Sequence, residues 1–316
     1  MQTFTIDKNR ANRRLDKVIK SLFPRMPLAA VYKNIRKNLK VNGKRASRDY
    51  ILQENDLLKF YFDDRIVLED EKQKRFYAKI KKSDFYKENL EIVFEDEDLL
   101  ILNKASGIAM HPGSGHFKGD TLLDLAKAYF SDADYPPAPV HRLDIGTSGL
   151  VIFTKNNQAT QKMSELIRER KIGKKYLALV HGRVKKDSGK IDLALSREME
   201  GERVNKIHIS KDNEDAKEAL TFFKVIRRFS FLATLLELDI KTGRMHQIRV
   251  HLKSQNHPIW GDKNYASSEQ FALARKMRLE RIFLHSFRLE FDFGKRREFE
   301  AALPLKLEEF LERLGN

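Results

Sequence analysis

Apolar positions in the first part of the chain recur at helical spacing. Leu15, Val18, Ile19 and Leu22 fall on one face after Arg14, and Pro24 closes that helix. Leu28, Val31, Tyr32, Ile35 and Leu39 mark a second helix, whose other face carries Lys33, Arg36, Lys37 and Lys40. Lys40-Val41 leads into Asn42-Gly43, a pair that accepts positive φ and predicts a hairpin turn, and Leu57 to Phe62 reads as a closing strand. From Ile66 to about Lys87 the pattern changes to charge without steady apolar periodicity, as in a flexible or helical linker.

The larger remainder alternates short apolar runs with helical stripes. Strands are expected at Ile92 to Phe94, Leu99 to Leu102, Leu150 to Phe153 and Tyr176 to Val180. Two longer ones, Thr221 to Arg227 and Phe231 to Ile240, flank a turn at Arg228 to Ser230, and Ile282 to Phe291 is a strand or strand pair. Helices are expected over Asn156 to Lys171, with Ala159, Met163, Leu166 and Ile167 as the apolar stripe, and over Arg244 to Ser254 after Thr242-Gly243. Strands in adjacent pairs with helices between them predict an α+β domain built on a mixed, largely antiparallel sheet, preceded by a small α/β module. The expected division is 1–66 for the module, 67–87 for the linker and 88–316 for the larger domain.

With 316 residues and 41% hydrophobic content the chain has material for about two packed domains. It has no cysteine, which excludes a disulfide scaffold, a thiolate metal site and any thiol nucleophile. No apolar run reaches the ~18 residues of a membrane span, and the first residues lack the apolar stretch of a secretory signal. A cytoplasmic protein without a membrane partner is expected. The net charge is +16, and residues 1–48 alone hold 14 Lys/Arg against 2 Asp/Glu. Charge confined to one end points to a polyanion, and a basic helix running into a turn suits RNA phosphates. Arg36, Lys37, Lys40, Lys44 and Arg45 are the candidate contacts on this module. A solvated face that only aids solubility is the plainer alternative, but it would not require the charge to be so confined.

The segment richest in chemistry is His141-Arg142-Leu143-Asp144-Ile145-Gly146-Thr147-Ser148-Gly149-Leu150, a proline-led loop entering a strand. Ser148 fails the nucleophile-elbow pattern because Leu150 stands where its last glycine belongs. His141 has no second ligand at a recognised metal spacing, so no metal is expected. Asp144 suits a nucleophile or base if an adjacent cation keeps it ionised, and taken alone it caps a turn as readily as it reacts.

These residues resemble the central motif of the pseudouridine synthases of the RluA/RluC/RluD type, and the likeness extends over most of the chain. Asn103-Lys104-Ala105-Ser106-Gly107 with His111-Pro112 is similar to the family's upstream loop, with Ala105 in place of the usual proline. Lys175-Tyr176-Leu177-Ala178-Leu179-Val180 is similar to the strand bearing the family tyrosine, and Thr242 to His251 matches the family's "TGRxHQIRxH". Gly261-Asp262 with Tyr265, and Leu284-His285 before a strand, continue the series. The first 66 residues resemble the ribosomal-protein-S-four-type RNA-binding module, although the glycine usual before Val41-Asn42 is absent. Among subfamilies the RluC type is nearest.

The resemblance implies the synthase fold and isomerisation of uridine to pseudouridine in structured RNA, foremost large-subunit ribosomal RNA or an assembling large subunit. Asp144 would be the nucleophile, Arg249 its ion-pair partner and Tyr176 the ring against the target base. Arg142, His141, Lys104, His111, Arg244 and His246 would contact or orient the RNA. Such a reaction needs no cofactor and no nucleotide, and a monomer would suffice. The rival from another class is a non-catalytic RNA-binding ribosome assembly factor that has kept the fold.

Overall fold

A computed structural model describes residues 2–23, 28–61, 75–112, 119–131, 136–200, 203–210 and 216–315. The first of these segments build β1 (Gln2–Thr5), α1 (Leu15–Leu22), α2 (Leu28–Asn38), β2 (Leu39–Val41) and β3 (Leu57–Phe60). The strands form an antiparallel sheet in the order β1-β3-β2. Of the helix faces read from the spacing, Leu15, Val18, Ile19, Val31 and Ile35 pack with Leu58 and Phe60 in a core of their own, whereas Leu28 at the start of α2 is exposed and Leu39 is buried as the first residue of β2. Asn42 and Gly43 turn with φ of 50° and 81°. The Asn42 amide oxygen then accepts from the Leu57 backbone N–H at 2.8 Å, which ties the turn to β3. The strand is not the immediate return of a hairpin, since residues 45–56 intervene. Pro24 and Phe62 lie outside the described residues.

The linker expected over 67–87 is met differently by its two parts. Residues 67–74 lie outside the described residues. Residues 75–81 are helical (α3) and lead to α4 (Asp84–Asn89), capped by the Ser83 hydroxyl. Tyr77 and Ile80, three apart on α3, are buried in the main core of the larger body, and Phe76, Phe85 and Tyr86 pack against it. This stretch is therefore part of the larger body and not a spacer; its apolar stripe is hidden in the sequence by the many lysines around it.

That body continues with β4 (Ile92–Glu95), β5 (Leu99–Lys104), α5 (Leu122–Tyr129), β6 (Ala138–Pro139), β7 (Ser148–Thr154), α6 (Asn157–Arg168), β8 (Gly173–His181) and β9 (Ser188–Asp192). There follow β10 (Leu195–Glu200), β11 (Arg203–Ile209), β12 (Leu220–Phe229), β13 (Ala233–Ile240), α7 (Gln247–Ser254), α8 (Ser268–Lys276), β14 (Leu284–Asp292), β15 (Arg296–Glu300) and α9 (Leu305–Gly315). Among the described residues a ten-stranded sheet runs β4-β5-β7-β14-β8-β13-β12-β9, with β15 beside β14 and β6 beside β7. Its pairings are antiparallel except β7 with β14. The architecture is α+β, as the paired strands imply. All seven residues of β7 are buried, which is what its uninterrupted apolar run requires of a central strand.

The parallel join of β7 and β14 sets the place of the site. Gly149 passes the backbone of Ser286 so closely that a Cβ would stand 2.2 Å from its carbonyl oxygen, and its φ is +114°. Only glycine admits that approach, which brings the loop before β7 beside β14 and β8. α7 begins at Gln247, later than the spacing predicts, because His246 takes a left-handed φ of 54°.

Candidate active site

Asp144 opens a tight turn in which its carbonyl oxygen accepts from the Thr147 N–H at 3.0 Å. The turn is held from behind by the loop after β5. The Gly107 N–H reaches the Ile145 carbonyl at 2.8 Å and the Ser106 hydroxyl reaches that of Gly146 at 2.7 Å. Lys104 is fully buried, and its ammonium donates to the carbonyls of Ala105, Ile108 and Ile145 at 2.8, 2.9 and 3.1 Å. Lys104 is thus a clamp for the turn and not an RNA contact, a correction forced by its burial. Burial, with Arg281 nearby, pushes its ammonium down to about 7 against a small opposing pull from Asp144.

On the other wall, α7 presents Arg249. Its Nε and Nη2 fork onto the two oxygens of Asp262 at 2.8 Å each, and its Nη1 donates to Asp144 Oδ2 at 3.2 Å. Asp262 is completely buried, and its Oδ1 also accepts the N–H groups of Asn264 and Tyr265 at 3.0 and 3.3 Å. The Tyr265 ring lies 4.9 Å from the guanidinium carbon and its hydroxyl meets His246 Nδ1 at 2.9 Å. Burial disfavours the Arg249 charge, but the hydrogen bonds and charge of Asp262, with Asp144, outweigh it, so Arg249 holds its proton more firmly than an ordinary arginine. Asp144 Oδ1 has no partner among the described residues, which leaves one carboxylate oxygen for a substrate.

Asp144, Arg249, Tyr176, His246, Arg142, Arg244 and His141 line one cavity of about 490 Å³. Tyr176, on β8 opposite Ser286 of β14, is 5% exposed, and burial keeps its phenol neutral well above the usual tyrosine range. His246 Nε2 is 3.8 Å from Asp144 Oδ2, and burial holds its imidazole below the ordinary range against the pull of Asp144. Arg142 and Arg244 are exposed at the rim. His141 also contributes to the wall, but its Nε2 accepts the Ile152 N–H of β7 at 3.3 Å, and burial pushes the ring down to about 3. It supports the loop as a neutral group and offers no charge to RNA.

His111 and the cations of the N-terminal module are not among the residues lining this cavity, nor are Ser148 and His251 of the two central motifs. His111 is exposed on the loop that runs toward residues 113–118, outside the described residues, and it does not line the wall. His251 is fully buried, with Nδ1 on the Thr221 hydroxyl at 2.9 Å and Nε2 on the Leu193 carbonyl at 3.0 Å. Ser148 is buried between Arg281 at 2.7 Å and His285 Nδ1 at 2.9 Å, so it is no nucleophile. Arg36, Lys37, Lys40, Lys44 and Arg45 are all exposed on the N-terminal module. Asp262, Tyr265 and Lys174 belong to the site without having been assigned a role from the sequence. The only signal for the first two was the Gly-Asp pair and tyrosine after Trp260, a pattern with no periodicity to draw attention to it.

A mixed sheet whose central loop carries an aspartate paired to arginine, in a cleft lined by seven Lys/Arg and one Asp, defines an enzyme for a polyanionic substrate. Residues 98–254 match the family model described as RNA pseudouridylate synthase. The chain is 32% identical over 298 residues to the ribosomal large subunit pseudouridine synthase C of Pasteurella multocida, covering 93% of this chain and 87% of that protein. It is 35% identical over 234 residues to an uncharacterized RNA pseudouridine synthase of Bacillus subtilis, covering 72% of this chain and 73% of that one. The solved human RNA pseudouridylate synthase domain-containing protein 4 has the same fold, with a TM-score of 0.59 at 24% identity over 77% of this chain and 97% of that one. The chain belongs to the RNA pseudouridine synthase family.

Proposed function

We propose that this enzyme isomerises uridine to pseudouridine in large-subunit ribosomal RNA, with Asp144 as the nucleophile. The observation that carries this reading is the Asp144 carboxylate in the cavity, bonded to Arg249 at 3.2 Å and facing the same space as Tyr176. The N1–C1′ bond of the nucleoside breaks and a C5–C1′ bond forms; C5 gives up its hydrogen to solvent and N1 takes one up, so no oxidant or co-reactant is consumed. Asp144 attacks either the anomeric carbon or the base, and both routes need it ionised. Arg249, anchored on Asp262, pairs with the carboxylate at 3.2 Å and aims it. The Tyr176 ring packs against the base, which must leave its stack at a cost of a few kcal/mol.

The N-terminal residues, with two helices and a three-stranded sheet, act as an S-four-type RNA-binding module joined to the catalytic domain within residues 62–74. Its exposed cations offset the unstacking cost through phosphate contacts that do not depend on sequence. Similarity to large-subunit synthases C over most of the chain supports ribosomal RNA as the substrate class.

Tritium release from RNA labelled at carbon five of uracil tests the reading. Wild-type protein should release tritium from large-subunit RNA, and Asp144→Asn should release none. Binding without release by the wild type would overturn it in favour of an RNA-binding assembly factor.

A further inference from the structure

Lys174 stands two residues before Tyr176 at the start of β8, and its side chain lines the cavity that holds Asp144. Its ammonium lies beside Gly243, where a Cβ would come within 3.8 Å of Nζ, so the glycine leaves that flank of the charge open. No carboxylate stands within ion-pair distance of Lys174 among the described residues. The acidic group that acts on it is Asp239, whose Oδ2 is bonded to Lys241 at 2.7 Å. The other cations of the wall are differently placed: Arg249 is neutralised by Asp262, Arg170 faces Glu218 at 3.6 Å, Arg244 donates to the Glu218 carbonyl at 3.1 Å, and Arg142 and Arg168 are exposed, where water solvates their charge. Lys174 is thus a partly buried, unpaired ammonium inside a reaction cavity. Burying such a charge is unfavourable unless an anion joins it.

We propose that Lys174 is a positioning residue that binds a phosphate of the RNA backbone adjoining the target uridine. The inference rests on the proposed function and deepens it. A phosphodiester flanks the ribose on each side, and an ammonium is a compact point charge suited to either. Fixing one phosphate beside Gly243 holds the ribose in the cavity that contains Asp144, while Tyr176, on the same strand, meets the base. Burial holds the Lys174 ammonium below the ordinary lysine range, with Asp239 opposing, and an incoming phosphate restores it.

The test uses the full chain and three small probes: uridine, uridine 3′-monophosphate and uridine 5′-monophosphate, with binding followed by calorimetry. Wild-type protein should bind one monophosphate about tenfold more tightly than uridine, and which one identifies the phosphate seated. Lys174→Met should remove that preference, and Lys174→Arg should retain most of it and so control for folding. With tritium-labelled large-subunit RNA, Lys174→Met should raise KM on the order of tenfold while changing kcat by no more than about threefold. No monophosphate preference in the wild type, or one that survives in Lys174→Met, overturns the subsite. A preference that behaves as expected in a protein that releases no tritium overturns the isomerase reading and leaves the anion site standing.

Discussion

Arg249 grips Asp262 through two hydrogen bonds of 2.8 Å but reaches Asp144 through one of 3.2 Å. Its firm partner is therefore the buried aspartate, and the loop aspartate is the looser one. Asp262→Asn should leave a buried guanidinium without its counter-charge and cost about 3–5 kcal/mol of stability, with activity lost because Arg249 is no longer aimed. Asp144 is 22% exposed and Arg249 keeps Asp262 without it, so Asp144→Asn should cost no more than about 1 kcal/mol while abolishing tritium release. Urea denaturation of the two variants separates them; equal losses of stability would show that Arg249 is not anchored on Asp262.

This division of labour marks how far the sequence could be read. The faces of α1 and α2 were legible because Leu15, Val18, Ile19, Val31 and Ile35 recur at helical spacing and nothing else competes for them. Asp144 and Arg249 were legible only through the family resemblance, since they lie 105 positions apart and meet through the fold. The role of Asp262 is not legible in the sequence, because an isolated Gly-Asp pair has no period and its partner is fixed by tertiary contact. The part played by Lys104 is not legible for the same reason: a cation near a reactive loop has the same letter whether it faces RNA or a backbone carbonyl. The β10 and β11 pair is not legible because its charges interrupt any two-residue alternation. α9 carries Leu307 and Phe310 at helical spacing, a stripe the sequence displays as plainly as those of α1 and α2.

Three buried histidines should make the fold acid-sensitive. Burial pushes His141 down to about 3 and His181 and His285 down to about 4, against an ordinary 6.5. His285 stays neutral with Nε2–H on the Ala301 carbonyl at 3.2 Å and Nδ1 accepting from Ser148 at 2.9 Å. Because the folded values lie below the unfolded one, the unfolded chain takes up protons first as pH falls. Stability should be unaffected by these groups above about pH 6.5 and fall between there and about pH 4, by at most ~1.4 kcal/mol per pH unit for each histidine. Denaturant midpoints from pH 7 to 4 check this, and His285→Asn should flatten the slope. A slope unchanged by that substitution would exclude His285 as a contributor.

Two glycines at positive φ should respond very differently to alanine. Gly149 at +114° faces the Ser286 carbonyl with no room for a Cβ, whereas Gly43 at +81° has nothing within 4 Å. Gly43→Ala should cost on the order of 1 kcal/mol, the conformational penalty alone. Gly149→Ala must also push β7 from β14, and should cost about 3 kcal/mol or more and disrupt the loop that carries Asp144. Comparable thermal midpoints for the two variants would mean that β14 yields freely at this join.

The exposed cations of the N-terminal module should govern how steeply RNA binding depends on salt. Arg36, Lys37 and Lys40 stand out from α2 and β2 into solvent. Each phosphate neutralised releases condensed counterions, so the logarithm of the binding constant falls with the logarithm of salt in proportion to the number of contacts. Replacing all three with alanine should make that slope shallower by roughly 2–3 if each meets a phosphate, and affinity at low salt should drop accordingly. The fold should be unaffected, since none of the three side chains belongs to the core formed by Leu15, Val31, Ile35 and Leu58. At saturating RNA the rate of tritium release should be that of wild type, because these residues hold the RNA and take no part in the isomerisation. Filter binding across a salt series measures the slope. A triple variant with the wild-type slope would place the RNA on another surface and remove the reason for assigning this module to nucleic acid.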